Sequence, residues 1–349
     1  MIDIAVKGAL AFIVLFSVLN FAGLHAWIER KQSAIMQDRI GANRASIFGL
    51  TLFGLFHPIA DAIKMFMKED FIPDGADKVL HTLAPFLSLM FAFVAFAAIP
   101  FGDVIHIGGR IITLQVANIN VGLLYILAMM SMGVYGVVLA GFSSNSNYAF
   151  LGGLRASSQM LSYEIAMGVS LIGLILVYGT VDMQEIVKRQ GELRLFGLPA
   201  WGIFTQPLAF FIFVTAGIAE SKRIPFDMPE GESEIIGYFV EYSGMKFGMF
   251  MFADFIETIL VACLTATLFF GGWQIPFVHY PAEYSLGLCL LQVLSFTIKV
   301  VFFAWLFMTI RWTLPRFRYD QLMRLGWKYM FPLSLANIFV TALILLIRR

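Results

Sequence analysis

The run KFGMFMFADFIETILVACLTATLFF, residues 246–270, decides the fold class of this chain. Its only charged side chains are Lys246, Asp254 and Glu257. A helix needs about 20 mostly apolar residues to cross a hydrocarbon core of ~30 Å. The run is therefore long enough and apolar enough to be a membrane-spanning helix.

Similar apolar runs recur along the whole sequence and predict an all-α, polytopic integral membrane helix bundle of about eight spans. The spans are expected near residues 6–28, 82–100, 120–141, 161–179, 204–220, 246–270, 286–309 and 329–347. The first run is too long for a cleavable signal and is interpreted as a span. Since we find no internal repeat or low-complexity segment, residues 1–349 form a single predicted membrane domain.

The composition agrees with a lipid environment. The 349 residues are 59% hydrophobic and only 13% charged, whereas a soluble domain is about 25% charged. A net charge of +1 gives no bulk attraction to nucleic acid. Cys263 and Cys289 lie in apolar runs without the spacing of a metal site, so we predict that this chain binds no metal or other cofactor.

Loop charges predict the orientation. If both termini lie outside, the inside loops hold most of the Lys and Arg residues, as the positive-inside rule requires. Two outside loops have structural patterns. Residues 104–114 alternate around Gly108 and Gly109 and predict a β-hairpin, and residues 180–190 begin with the spacing of a capping box and predict a short surface helix.

The inside segment 29–81 predicts a helix lying in the membrane interface after the first span. Pro58 suits a first helical turn. Beyond it, Asp61, Lys64 and Lys68 share one helix face, while apolar residues cover much of the rest. From the pattern alone, an ordinary membrane-surface helix remains an open interpretation.

Ionisable residues within or beside the predicted spans are the main candidates for function. Even the lower insertion scale assigns a Lys or Asp at a helix centre a cost of about 2.5–3.5 kcal/mol. Several in one chain favour a polar path through the bundle, although each could be a buried ion pair that only fixes packing. The residues are Glu164, Glu220, Asp254, Glu257 and Lys299.

Two features strengthen this hypothesis. Asp254 and Glu257 are three residues apart and share a helix face, which disfavours joint ionisation and would let one of them hold a proton near neutral pH. The inside loop between residues 220 and 241 is unusually acidic for that side, and it could be a solvated loop or a proton-collecting one. Its acids, set against Lys222 and Arg223, are Glu220, Asp227, Glu230, Glu232, Glu234 and Glu241.

Several blocks occur in order from the first span to the last: Glu29-Arg30-Lys31, Asp38-Arg39-Ile40-Gly41, Pro58-Ile59-Ala60-Asp61-Ala62-Ile63-Lys64, Ser162-Tyr163-Glu164, Pro225-Phe226-Asp227, Glu230-Gly231-Glu232-Ser233-Glu234, Glu241-Tyr242-Ser243-Gly244 and Pro315-Arg316-Phe317-Arg318. Together they resemble the H subunit family of bacterial NADH–quinone oxidoreductase, equivalent to subunit 1 of mitochondrial complex I. The sequence departs from the family pattern at Ala42, where proline is usual, at Asp254, commonly glutamate, and at Lys222, commonly asparagine.

The resemblance implies a membrane subunit of a proton-translocating NADH:quinone oxidoreductase, without a catalytic residue or redox centre of its own. Quinone is the implied substrate, and NADH, FMN and iron–sulfur clusters lie on partner subunits. The implied partners are peripheral quinone-site and terminal-cluster subunits on the inside face, and antiporter-like and small membrane subunits alongside. A bacterial inner membrane is the expected location, with the mitochondrial inner membrane as the alternative.

The resemblance also implies residue roles. The quinone channel would include Arg30, Arg39, Asp61 and Lys64. The proton or charge path would include Glu29, Glu164, Glu220, Arg223, Asp227, Glu230, Glu232, Glu234, Glu241, Asp254, Glu257 and Lys299. Arg311, Arg316 and Arg318 are expected to anchor the inside face or partner subunits.

Two other functions stay open from the sequence. A membrane-bound hydrogenase or ferredoxin-linked complex contains a homologous chain, but the residues at the quinone opening need not persist there. A stand-alone secondary transporter predicts paired halves with broken helices, a pattern that we do not find.

Overall fold

The computed structural model describes residues 2–107, 110–192, 194–195, 198–229, 237–275 and 286–347. The helices of this part are α1 (Ile2–Met36), α2 (His57–Met67), α3 (Lys78–Val94), α4 (Gly122–Ser143), α5 (Asn147–Tyr178), α6 (Met183–Glu192), α7 (Gly202–Thr205), α8 (Pro207–Glu220), α9 (Gly244–Phe269), α10 (Leu286–Thr313), α11 (Tyr319–Arg324) and α12 (Phe331–Ile347). Two 3₁₀ turns (Leu52–Gly54 and Ala95–Ala98) and a π-helix (Leu325–Met330) join them.

The membrane helix bundle predicted from the sequence is confirmed. Seven helical segments of the described part are long and apolar enough to cross a bilayer: Ala5–Met36, Lys78–Ala98, Gly122–Ser143, Asn147–Tyr178, Gly244–Phe269, Leu286–Thr313 and Tyr319–Ile347. They coincide with seven of the eight expected spans. The count of eight and the orientation with both termini outside stay predictions.

The remaining expected span, residues 204–220, is shorter than a full crossing. It consists of the single turn α7 and the 14-residue α8, and α8 extends only ~21 Å at 1.5 Å per residue. The two helices are separated at Gln206, whose amide donates to Thr341 Oγ1 at 2.8 Å and accepts from Asn337 at 2.8 Å. Both partners lie on α12, so that helix holds the break in place.

Helix α9 forms the centre of the bundle. It is the most buried of the candidate spans and packs against α1, α2, α3, α8 and α10. Because α9 touches so many neighbours, polar groups on it can meet side chains from several parts of the chain.

The helices α3 and α4 approach especially closely at Gly136, where an added Cβ would lie 2.8 Å from the backbone nitrogen of Ser88.

Helix α5 begins 14 residues before the expected span that starts at residue 161. The extension is polar, which is why hydropathy alone missed it. Gln159 is buried there, and its amide donates to the carbonyls of Ala219 at 2.7 Å and Phe226 at 2.6 Å. The extension therefore holds the loop that follows α8.

The smaller predicted elements are also present. Strands β1 (Val104–Ile107) and β2 (Arg110–Thr113) pair antiparallel, while the expected turn at Gly108 and Gly109 lies outside the described residues. Helix α6 follows Asp182, whose carboxylate accepts from the backbone N–H groups of Gln184 and Glu185. A second short hairpin pairs β3 (Arg194–Leu195) with β4 (Leu198–Pro199).

The expected amphipathic helix after the first span is α2. Pro58 occupies its first turn, and none of its side chains is fully buried. It packs against α1 and α9, while Ile59, Ile63 and Phe66 remain exposed. Its position in the membrane interface stays a prediction, and its packing makes it one wall of the site.

Candidate functional site

A cavity of about 530 Å³ lies between α1, α2 and α9, with the end of α10 at one side. Met251, Phe252 and Phe255 of α9 give it an apolar wall. Its charged lining residues are Glu29, Arg30, Asp61, Lys64, Lys68, Arg223, Asp254 and Arg311. Such a space accepts a molecule that is largely apolar but also carries polar groups.

The exposed end of the cavity carries the mouth cluster, which consists of Arg30, Asp61 and Lys64. A guanidinium nitrogen of Arg30 on α1 lies 2.5 Å from Asp61 on α2, and the ammonium group of Lys64 lies 3.4 Å from the same carboxylate. The side chains of Arg30 and Lys64 are 46% and 69% exposed. Exposed ion pairs contribute about 0–1 kcal/mol to stability. The main effect of this cluster is therefore to fix the positions of the charged groups at the opening.

The buried end carries the inner arginine cluster, which consists of Glu29, Arg223 and Arg311. The carboxylate of Glu29 lies 2.5 Å from Arg311 and 3.4 Å from Arg223. The guanidinium of Arg223 also lies over the ring of Phe255, 4.2 Å from its centroid, a favourable cation–π arrangement. One carboxylate between two cations leaves a net positive charge at this end of the cavity.

Arg311 was expected to anchor the inside face, but the structure places it in the cavity wall. The positive-inside rule accounts equally well for any arginine at an inside helix end, so the sequence held no signal that separated Arg311 from Arg318. Arg318 is exposed and pairs with Asp320 at 3.5 Å.

A lysine–acid cluster, made of Lys222, Asp254 and Glu257, lies next to the cavity. The ammonium group of Lys222 is 2.7 Å from Asp254 and 3.4 Å from Glu257, and the Lys222 side chain is 1% exposed. Asp254 lines the cavity, whereas Glu257 is one helical turn further along α9. A buried cation therefore connects a cavity-lining acid to a more deeply buried one.

Lys222 changes the expectation for the two acids. The sequence suggested repulsion between Asp254 and Glu257, but the structure shows that they share a cation. Burial by itself lowers the pKa of Lys222, yet the two carboxylates outweigh it and raise that pKa well above its ordinary value. The sequence alone missed this pairing because the direction of a loop side chain is not encoded in local periodicity.

Two further acids lie beyond this cluster. Glu220, the last residue of α8, is buried, and neither of its carboxylate oxygens has a hydrogen-bond partner in the described part of the chain. Glu164 on α5 accepts a hydrogen bond from the hydroxyl of Ser131. The charges of Glu220 and Glu164 are close enough to interact with one another, as are those of Glu220 and Glu257.

The structure does not bring Lys299 to these acids. Its ammonium group donates to the carbonyls of Phe270, Gly272 and Gln274 at 2.8, 2.8 and 2.6 Å, and it lies 4.9 Å from the centroid of the Trp201 ring. Phe270 is 13 residues after Glu257, or ~20 Å along a helix. Lys299 thus satisfies three backbone carbonyls of the segment that follows α9, residues 270–274.

Other predicted site residues of the described part do not line the cavity. Arg39 is exposed, and its guanidinium donates to Gln37 at 2.7 Å. Asp227 is buried and lies 3.1 Å from Arg316, so Arg316 holds the loop after α8. The backbone carbonyl of Glu241 accepts from His81 at 3.4 Å. The expected sites Glu230, Glu232 and Glu234 lie outside the described residues.

The fold and the site define a multi-pass membrane helix bundle with a charged cavity beside an amphipathic helix and with acids continuing from that cavity into the bundle. The family described as NADH dehydrogenase matches residues 9–342, and the chain belongs to this family.

Three relatives match over nearly their whole length, and each is named as an H subunit of NADH-quinone oxidoreductase. The chain is 46% identical to H subunit 1 of Cytophaga hutchinsonii, covering 94% of this chain and 93% of the relative. It is 43% identical to the H subunit of Thermomicrobium roseum, with 95% and 94% covered. It is 45% identical to H subunit 2 of Geobacter sulfurreducens, with 99% and 98% covered.

Proposed function

We propose that this chain is the H-type membrane subunit of a proton-translocating NADH–quinone oxidoreductase, in which it forms the quinone entrance and couples quinone reduction to proton movement. Family membership and the names of the relatives support the enzyme class. The observation that carries the residue-level proposal is the cavity between α1, α2 and α9.

The cavity has the chemistry that a quinone needs. The exposed apolar side chains of α2 beside the mouth cluster let an apolar molecule approach from the bilayer. The aromatic and methionine wall of α9 suits an isoprenoid tail, and the charged inner end suits a polar head group. Quinone is therefore the proposed substrate, and the NADH, FMN and iron–sulfur sites are proposed to lie on partner subunits.

Coupling is proposed to work through charge. Quinone reduction takes up two protons and creates transient negative charge, and a charge ~10 Å from a carboxylate interacts with it by a few kcal/mol at effective dielectrics of ~4–20. Asp254 lines the cavity and shares Lys222 with Glu257. A change of charge in the cavity would therefore alter the electrostatic energy of the buried acids directly. No ion or molecule would have to move from the cavity to the acids.

The extended path in the proposal includes Glu29, Glu164, Glu220, Arg223, Asp227 and Glu241, together with Glu230, Glu232 and Glu234. Lys299 is left out, because its ammonium group donates to carbonyls of the segment after α9, away from the acids. Peripheral subunits would dock on the inside face, antiporter-like and small subunits would pack alongside, and the complex would lie in a bacterial inner membrane.

A cavity-filling pair of variants tests this function. Ala62 of α2 lines the cavity, whereas Ala60 of the same helix is exposed and does not. In the complex purified from native membranes, we expect Ala62→Phe to raise the KM for a long-tailed quinone and to lower inhibitor-sensitive NADH–quinone reductase activity. Ala60→Phe should leave both unchanged.

Two outcomes would contradict the proposal. One is that the Ala62→Phe complex keeps the parent KM and turnover. The other is that the chain is purified with a nickel hydrogenase or ferredoxin-linked subunits in place of NADH- and flavin-binding ones. Identification of the co-purified subunits by mass spectrometry decides the second point.

A further inference from the structure

Lys222 is the unusual residue among the buried charged side chains. It is the second residue after α8 and adopts a positive φ of +54°, a region that favours glycine and, among other residues, asparagine and aspartate. This backbone conformation turns the side chain back into the bundle, where its ammonium group meets Asp254 and Glu257. A lysine held there despite this backbone preference is a feature to explain.

The three acids differ in their partners. Asp254 and Glu257 share the cation, while Glu220 is more deeply buried than either and has no hydrogen-bond partner for either oxygen in the described part of the chain. An ionised carboxylate without a partner is strongly disfavoured away from water. The two acids beside Lys222 therefore favour the carboxylate form, whereas Glu220 favours the protonated form.

We propose that Lys222 is a positioning residue that holds both Asp254 and Glu257 as carboxylates, so that Glu220 is the member of this group that keeps a proton. The geometry is consistent with this assignment, because one ammonium group within 3.4 Å of two carboxylates offsets the repulsion between them. Without that cation, two like charges one helical turn apart would share a proton.

Further charged or titratable groups act on this cluster from the packed elements. Helix α4 faces Glu257 with Gly133, where an added Cβ would lie 3.6 Å from the carboxylate. The interacting side chains are Asp254 and Glu257 from α9, Glu220 from α8, Glu164 from α5, and Arg223 and Tyr238 from the loop. Lys222 is the cation in direct contact with both acids, so its removal should alter the proton count.

Infrared spectroscopy of the intact purified complex tests the inference through the carbonyl stretch of protonated carboxyl groups. Lys222→Asn should gain one protonated carboxyl per complex, and its asparagine tolerates the positive φ. Lys222→Arg keeps the charge and should match the parent. The double variant Lys222→Asn/Glu257→Gln should show no gain, because the remaining Asp254 faces the cavity.

A second pair of variants keeps the test decisive even if Lys222→Asn does not assemble. With Lys222 intact, Glu257→Gln should leave the protonated-carboxyl signal unchanged, whereas Glu220→Gln should remove one such group. A signal lost in Glu257→Gln, or no gain in an assembled Lys222→Asn complex, would overturn the assignment.

The inference deepens the proposed function and rests on it only for turnover. There, the pH profile of quinone reductase activity in Lys222→Asn should move to higher pH by roughly one to three units, and Lys222→Arg should restore it. An unchanged profile in an assembled Lys222→Asn complex contradicts the inference. The carboxyl count does not depend on quinone chemistry, so it can succeed even where the cavity-filling variants contradict the quinone entrance.

Discussion

Glu29 of α1 lies 2.5 Å from Arg311 of α10, although 282 positions separate them in the sequence. The same carboxylate lies 3.4 Å from Arg223 in the loop after α8. Three distant parts of the chain thus meet at the buried end of the cavity through one carboxylate. All three residues line the cavity.

The first prediction concerns this carboxylate. Glu29→Gln leaves the guanidinium groups of Arg223 and Arg311 close together without the charge between them, and removing one partner of a buried ion pair costs about 3–5 kcal/mol. We expect a lower thermal unfolding temperature of the purified complex and reduced quinone reductase activity.

The matched control is Glu185→Gln, which removes an exposed i, i+4 pair with Arg189 on α6. Its expected cost is about 0.3–0.5 kcal/mol. If Glu29→Gln is as stable as Glu185→Gln, the inner arginine cluster does not hold the cavity together.

The second prediction concerns the mouth cluster. Asp61→Asn frees the Arg30 side chain from α2, so that Arg30 can enter the opening. We expect a higher KM for quinone with little loss of stability, because the pair is partly exposed. Steady-state kinetics of the assembled complex measure the effect, and Asp61→Glu, which keeps the charge, should behave nearly as the parent. Equal KM values for the Asn and parent complexes would count against the opening.

The third prediction concerns the loop after α8. Asp227 is buried and lies 3.1 Å from Arg316, so Asp227→Asn should loosen this loop and lower both quinone reductase turnover and proton pumping in vesicles. Asp320→Asn is the control, since its ion pair with Arg318, at 3.5 Å, has both side chains exposed. Parent-level turnover and pumping in the Asp227→Asn complex would remove this loop from the coupling route.

The fourth prediction separates a structural lysine from a conducting one. Lys299→Met removes a charged donor from three carbonyls in the segment after α9, and a hydrogen bond to a charged group contributes about 1.5–3 kcal/mol. We expect lower thermal stability but an unchanged pH profile of turnover. A shifted pH profile would return Lys299 to the proton path.

The fifth prediction tests the close contact between α3 and α4. Gly136→Ala places a methyl group 2.8–2.9 Å from backbone atoms of Ser88 and Ala84, and such overpacking costs about 1–3 kcal/mol. Gly168→Ala in α5 meets nothing within 4 Å and should not destabilise the protein. Thermal unfolding of the two variants, compared side by side, checks the packing, and equal unfolding temperatures would contradict it.

Much of the fold could be predicted from the sequence, because hydropathy is a local property. A run such as residues 246–270 has to be helical in lipid, where backbone groups cannot bond to water. The amphipathic face of α2 and the small hairpin at β1 follow from equally local patterns. The polar start of α5 and the short length of α8 do not follow from local patterns, since long-range contacts of Gln159 and Gln206 stabilise them.

By itself, the sequence determined which charged residues this membrane protein must accommodate and on which helices they lie. Only the tertiary structure decided their partners: Lys222 with Asp254 and Glu257, Arg311 with Glu29, and Lys299 with the carbonyls after α9. The physical reason is that helical periodicity fixes which residues share a face, but not which neighbour that face meets or at what depth. Those relations depend on the packing of the whole bundle.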